Sequence, residues 1–411
     1  MQTLRQDAQA IIDKALADAL PDSAVRRALE QFQKPEGRLV LIAAGKAAWQ
    51  MAKAAYDVLG TAITSGAVIT KYDHVKGSIG ALELFEAGHP VPDENSYRAT
   101  SRALELVSGL SERDTVLFLL SGGGSALFES PLVPAEEMAD VTKQLLACGA
   151  DIVEMNTLRK RLSAVKGGRF AERCLPAKVF SIVLSDILGD PLDMIASGPA
   201  YPDSSTCAQA LEVVRKYGLR LSDRALELLA QETPKALTNV ETHITGSVRQ
   251  LCASAEQTAR ALGYTPVILT ASLRCTARDA GSFLASIAQC HQDSKTSLAY
   301  IAGGETVVHL TGHGLGGRNQ EIALSAAQEI AGLRDTAVFS FGSDGTDGPT
   351  DAAGGYCDGD TCAALAAKGI SIPDVLQDND AYHALQACGG LIRTGPTGTN
   401  VNDLSVLLVR R

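Results

Sequence analysis

The groups best equipped for chemistry in this 411-residue chain are glycines, cations and carboxylates that stand where apolar runs stop. Ser121-Gly122-Gly123-Gly124-Ser125-Ala126-Leu127 follows the apolar run Thr115–Leu120. Three glycines in a row let main-chain N–H groups converge on an anion where a helix begins. A tight strand-to-helix turn without a ligand is the plainer reading, but triple glycine carries an entropic cost that such a turn does not require. Ser125 could act as a nucleophile, yet the G-x-S-x-G elbow is missing, which argues against hydrolysis. Lys46 lies just past another apolar run, at a helix start, where the dipole disfavours an ammonium unless an anion balances it. A phosphate-facing lysine and a solvated surface lysine both satisfy that position.

Asn156 to Arg169 concentrates cations in a chain whose net charge is −10. The stretch reads as a phosphate-binding wall or as a solvated basic helix face; the second suits Arg159 and Lys160 better than Lys166, which abuts Gly167 and Gly168. Asp186 and Asp190 follow the run Val179–Leu184. Magnesium takes one or two carboxylates plus substrate phosphates, so the pair could support a metal-nucleotide complex, while Asp190 could instead cap a helix.

Gly312, Gly314 and Gly317 match G-x-G-x-x-G, and Asp335 stands where a ribose-binding acid belongs. That fingerprint opens a βαβ unit, however, and here the runs Ala299–Ala302 and Val307–Leu310 predict an antiparallel hairpin instead. Arg318, at the start of the following helix, has the planar fork that grips a carboxylate or phosphate. Asp344, Asp347 and Asp351 crowd another strand-end turn, without the ligand spacing of an EF-hand loop. No Walker A motif and no protein-kinase motif set occurs. Residue chemistry alone therefore gives an anion-handling α/β enzyme.

These groups need elements to hold them. Short apolar runs at Leu39–Ala44, Ala67–Thr70, Thr115–Leu120 and Val179–Leu184 alternate with helical patterns, which predicts a parallel sheet covered on both faces. Such sheets bind ligands at the carboxyl ends of their strands. The pattern restarts near His243–Thr245, followed by a helix over Ser247–Leu262 and strands at Pro266–Thr270, Leu298–Ala302, Ala337–Phe341 and Leu404–Val409. Thr233-Pro234 breaks the helical pattern before it, so the expected domains are 1–238 and 239–411. The length fits two cores, and a pI near 5.3 opposes binding to nucleic acid. The nine cysteines form no C-x-x-C pair and no zinc-ligand cluster, which predicts reduced thiols and a cytoplasmic location. Residues 1–32 are studded with charges and read as an amphipathic helix rather than a signal or membrane segment.

Seven stretches, in order, resemble the class II glycerate 2-kinases, a family also called tartrate-pathway hydroxypyruvate reductases. They are Ala44-Gly45-Lys46-Ala47, Leu120 to Leu127, Arg161-Leu162-Ser163-Ala164-Val165-Lys166-Gly167-Gly168, Ser185 to Pro199, Gly303-Gly304-Glu305-Thr306, Gly316 to Leu324 and Gly342 to Gly354. The resemblance implies an α/β protein with a Rossmann-like parallel-sheet N-terminal domain and a smaller C-terminal α/β domain with a mixed sheet. It implies ATP and a hydroxy acid in the cleft between the domains, and phosphorylation of D-glycerate at its 2-hydroxyl. Lys46 and Arg318 match the family's cleft lysine and arginine. With the residue chemistry above, the expected catalytic groups are Lys46, Arg318 and Asp186. The expected binding groups are Ser121, Gly122, Gly123, Gly124, Ser125, Asn156, Lys166, Glu305, Asn319, Asp344 and Asp347, and Asp186 and Asp190 are expected to hold Mg2+. The expected partners are ATP and a small hydroxy acid, with a homodimer and neither nucleic acid nor membrane. The competing expectations are a nicotinamide-dependent hydroxypyruvate reductase and a non-catalytic hydroxy-acid-binding regulator.

Overall fold

Alternate residues of the apolar runs face two different cores, and that period of two organises the first of two units in a computed structural model describing residues 3–185 and 192–411. This unit comprises residues 24–185 and 192–245. Its strands are β1 (Leu39–Ala44), β2 (Ser65–Lys71), β3 (Glu83–Ala87), β4 (Thr115–Leu120), β5 (Lys178–Leu184) and β6 (Val240–Gly246). Val40, Ile42 and Ala44 of β1 pack with Phe118, Leu120, Phe128 and Phe170 on one face. Leu39, Leu41 and Ala43 pack with Met51, Ala55 and Leu117 on the other. Because both faces are covered, β1 and β4 read as unbroken apolar runs, as strands of parallel sheets do.

The strand order is β3-β2-β1-β4-β5-β6, and every pairing from β3 to β5 is parallel. The chain winds outward from β1 to β3 and then returns to β4 on the other side of β1. The carboxyl ends of β1 and β4 therefore flank the switch point, where open α/β sheets bind ligands. β3 was not legible in the sequence, since it is a half-buried edge strand with two glutamates in five residues. β6 belongs beside β5 rather than opening the second sheet as expected, and the Val179 N–H donates to the Asn239 carbonyl at 2.7 Å where the two approach.

The basic stretch is neither a phosphate wall nor a solvated face. Lys160 pairs with Asp203 at 3.0 Å and Asp193 at 3.2 Å, while Arg161 pairs with Asp203 at 3.5 Å and Glu232 at 3.2 Å. Lys160 and Arg161 are fully buried, and unpaired charges in such a place would cost several kcal/mol each. The helix Ile152–Arg161 thus turns its cations inward, onto acids that follow it in the chain.

The second unit comprises residues 3–23 and 246–411. Its strands β7 (Thr265–Leu273), β8 (Leu298–Gly304), β9 (Thr336–Gly342), β10 (Gly354–Asp358), β11 (Leu391–Ile392) and β12 (Asp403–Val409) lie in the order β11-β10-β9-β12-β8-β7. β12 is antiparallel to both β8 and β9, while β7 is parallel to β8, so the sheet is mixed as expected. The hairpin expected from Val307–Leu310 does not form. Both edges of β8 are already taken, by β12 and β7, so Val307 and Leu310 stay exposed and Val307 makes only a single bridge to Thr276.

The helix Leu4–Ala19 belongs to this second unit, not to the first domain where sequence proximity put it. Ala8, Ile11, Ile12, Ala15 and Ala19 form its apolar stripe and join a core containing Leu251, Ala255 and Phe339. Polar ties fix the docking: Tyr264 donates its hydroxyl hydrogen to Asp7 at 2.7 Å, and Ser254 donates to Asp18 at 2.7 Å.

Candidate functional site

Two clusters of polar groups stand at strand ends, one in each unit. In the first unit, β1 ends against the glycine-rich turn that follows β4. Gly45 has φ +125°, and a Cβ there would fall 2.5 Å from the Ser121 carbonyl oxygen, so only glycine lets the two strand ends approach this closely. The approach is locked by hydrogen bonds from the Lys46 N–H to the Gly122 carbonyl at 2.9 Å and from the Ala47 N–H to Ser121 Oγ at 3.0 Å. Ser121 is thereby a structural acceptor, and it aims the exposed Lys46 side chain at the turn. The N–H groups of Gly122, Gly123 and Ser125 donate to no partner among the described residues. These three amides without partners stand beside the Lys46 stem.

One group that sequence reasoning missed reaches this turn, and a second stands at a neighbouring strand end. A Cβ on Gly123 would fall 3.0 Å from the His89 ring and 3.1 Å from Lys46 Cγ, so both side chains crowd the same glycine. Lys71 closes β2, the strand next to β1. Burial, reinforced by the Lys46 and Lys71 ammonium groups, holds the His89 imidazole below the usual histidine range. A reading that inspected every strand end of a parallel sheet would have found both, since His89 lies two residues past β3.

Behind the turn the expected ligand-binding residues Asn156 and Lys166 act as supports. Lys166 is fully buried and donates to the carbonyls of Ser125 at 2.8 Å and Phe128 at 3.1 Å, with Glu129 at 3.5 Å. Burial pushes its ammonium down to about 8, against the opposing pull of Glu129. Asn156 accepts from Ser197 Oγ at 2.9 Å, and Ser197 Oγ lies 3.4 Å from Ser125 Oγ. Ala196 and Ser197 adopt left-handed backbone at φ +51° and +62°, and Gly124 has no Cβ to collide with Ala196. Nothing in the residue types at 196 and 197 announces that strained conformation.

In the second unit the strand-end rule needed one extension. β12 runs antiparallel to its neighbours, so its first residue, Asp403, sits between Gly304 at the end of β8 and Gly342 at the end of β9. Sequence reasoning examined carboxyl ends only and so overlooked Asp403. Its buried carboxylate accepts from Arg318 through Nε and, at 2.9 Å, through Nη2, while Glu305 lies 3.7 Å from the same guanidinium. This bidentate pairing orients Arg318, raises the guanidinium pKa and leaves Nη1 without a partner among the described residues. Burial raises the Asp403 carboxyl above its ordinary value despite the arginine.

Asp347 is buried beneath the start of the helix Arg318–Glu329 and accepts from the N–H groups of Asn319 at 3.1 Å and Gln320 at 2.9 Å. Burial pushes its carboxyl up to about 6. A dinucleotide pyrophosphate would need these same amides, so the G-x-G-x-x-G reading fails on geometry. Its glycines serve packing instead, since a Cβ at Gly312, Gly314 or Gly317 would strike Asp378, Asp380 or Asp347. Asn319 is enclosed, accepting from Ser340 Oγ at 2.5 Å, and Asp344 accepts from the Thr346 N–H at 3.0 Å within its own turn. Asn319 and Asp347 are thus buried and engaged in holding the helix start, whereas Arg318 and Asp344 are half-buried and Glu305 is exposed.

Asp186 and Asp190 lie outside the described residues. Carboxylate oxygens are the donors magnesium prefers, and a magnesium-nucleotide complex needs only one or two of them from the protein. Among the described residues no group of three or more His, Cys, Asp or Glu is placed to hold a metal.

A family model described as a domain of unknown function, DUF4147, matches residues 7–230, and the MOFRL family model matches residues 298–403. A D-glycerate 2-kinase of Thermotoga maritima is 53% identical over 414 residues, covering 99% of this chain and 99% of that protein. A glycerate 2-kinase of Pyrococcus horikoshii is 40% identical, covering 91% of this chain and 88% of that protein. The crystal structure of a glycerate kinase from Thermotoga maritima matches with a TM-score of 0.92 at 53% identity, covering 99% of each chain.

Proposed function

This chain belongs to the glycerate kinase family, and we propose that it transfers the γ-phosphoryl group of ATP to the 2-hydroxyl of D-glycerate, releasing 2-phosphoglycerate and ADP. The observation that supports the reading best is the switch point of the first sheet, where Lys46 stands beside three free amides with no acid paired to it among the described residues. Phosphoryl transfer asks mainly for positioning and for compensation of charge on the moving group. Lys46 supplies a mobile point charge and the amides of Gly122, Gly123 and Ser125 supply fixed donors for phosphate or carboxylate oxygens. Arg318, held by Asp403, offers the free edge of its guanidinium to the same chemistry.

In the step itself the substrate's 2-hydroxyl oxygen bonds to the γ-phosphorus as the bond to the bridging oxygen of ADP breaks, and the hydroxyl proton passes to a base. We assign that proton to Asp186 or Asp190, and metal support to the other. Magnesium, where bound, supplies charge compensation on the ATP phosphates. No helix among the described residues is long and apolar enough to cross a membrane. The nine cysteines are free thiols, which supports assignment to the reducing cytoplasm.

The test is incubation of the purified protein with Mg-ATP and D-glycerate, followed by phosphorus NMR. The reading predicts 2-phosphoglycerate. A 3-phosphoglycerate signal would overturn the regiochemistry, and absence of both would overturn the kinase assignment.

A further inference from the structure

Along one edge of the first sheet, four neighbouring strands, β3-β2-β1-β4, end in succession, and each brings a group able to bind an oxyanion. His89 follows β3 by two residues, Lys71 is the last residue of β2, Lys46 follows β1 by two, and the amides of Gly122, Gly123 and Ser125 follow β4. The parallel pairing of these strands aligns their carboxyl ends, so the series is a consequence of topology. The His89 ring and the Lys46 stem both press on Gly123. The nearby acids are engaged elsewhere: Asp93 accepts from the Tyr72 hydroxyl at 2.6 Å and the Ser96 N–H at 3.0 Å, and Glu86 accepts from the N–H groups of His74 and Val75 at 3.0 and 2.9 Å. No acid among the described residues pairs with Lys46, Lys71 or His89. Two ammonium groups and an imidazole gathered without a counter-charge repel one another, and an anionic guest removes that penalty.

We propose that Lys71 and His89 join Lys46 in an oxyanion subsite that binds a substrate anion, either the carboxylate of the hydroxy acid or a phosphate of ATP. The identity of the guest rests on the kinase reading above; the existence of an oxyanion subsite rests on the strand-edge cations alone. With a guest present, the imidazole gains a proton it otherwise gives up at neutral pH and becomes a third cationic donor.

His89→Gln and Lys71→Met test this in two arms. In steady-state kinetics each variant raises the KM for one substrate about tenfold with an unchanged melting temperature. A rise confined to D-glycerate identifies a carboxylate, and a rise confined to ATP identifies a phosphate. In the second arm, proton NMR follows the titration of His89, assigned among the seven histidines by the spectrum of His89→Gln. Saturating D-glycerate or ATP shifts its midpoint upward. KM values for both substrates within twofold of wild type, together with a midpoint unmoved by either compound, would overturn the subsite. A wild-type protein without kinase turnover removes the kinase reading, and the NMR arm alone then decides the subsite.

Discussion

Replacing Asp403 by asparagine asks whether Arg318 works because it is charged or because it is held. The substitution keeps the volume and one acceptor oxygen but removes the charge and one of the two parallel hydrogen bonds to the guanidinium. Breaking a buried ion pair by removing one partner costs roughly 3–5 kcal/mol. Here the arginine side chain is 32% exposed against 6% for the aspartate, so solvent recovers part of that, and about 2 kcal/mol is the working magnitude. If the orientation is spent on the transition state, that converts to a fall in kcat/KM of about thirtyfold. The assay is release of 2-phosphoglycerate coupled through enolase, run beside denaturant unfolding of the same preparation. Arg318→Lys, which keeps the charge and loses the fork, falls by a comparable factor. A variant Asp403→Asn that loses stability but turns over like wild type would refute the argument, because Asp403 would then serve the sheet and not the arginine.

Three further outcomes follow from the same geometry. Gly45→Ala places a Cβ against the main chain of Ser121 at a backbone conformation that alanine resists, so circular dichroism melts show a loss of several kcal/mol and turnover falls with it. Lys166→Met strands Glu129, whose Oε2 already lacks a hydrogen bond, and costs roughly 3–5 kcal/mol in urea unfolding; adding Glu129→Gln restores much of it. Asp347, with its folded pKa raised to about 6, binds more protons folded than unfolded between its ordinary value and 6. Its contribution is complete in acid and is lost as pH rises through 6, by roughly 3 kcal/mol, and a difference curve against Asp347→Asn reads it directly.

The alternation of apolar runs was sufficient to read the parallel sheet, because strands buried on both faces leave no polar residue to blur them. Edge strands were harder: both carry polar residues on open sides, so β3 went unread and β6 was read as a strand but placed in the wrong sheet. The hairpin expectation failed because Val307 and Leu310 look like strand residues while the strands that exclude them from the sheet are β7 and β12, the latter over 90 residues away. Helix Leu4–Ala19 shows the same limit, since its stripe predicts burial but not which core receives it. At the candidate site, glycine spacing and strand ends pointed to Lys46, the 121–125 turn and Arg318. His89 and Asp403 escaped because no motif marks a lone histidine, and because a strand's amino end reaches the functional edge only when the strand runs antiparallel. Asn319 and Asp347 were misleading for a physical reason: a helix start rich in donors looks the same in sequence whether a ligand or an internal carboxylate fills it.

The account depends on the Lys46 ammonium and the Arg318 guanidinium each serving phosphoryl transfer. Steady-state kcat/KM for Lys46→Ala, Arg318→Ala and the double variant measures this most directly, with folding confirmed by circular dichroism. The account predicts that each single change lowers kcat/KM by orders of magnitude and that the double variant falls below both. Near-normal turnover in either single variant, with the fold intact, would contradict it.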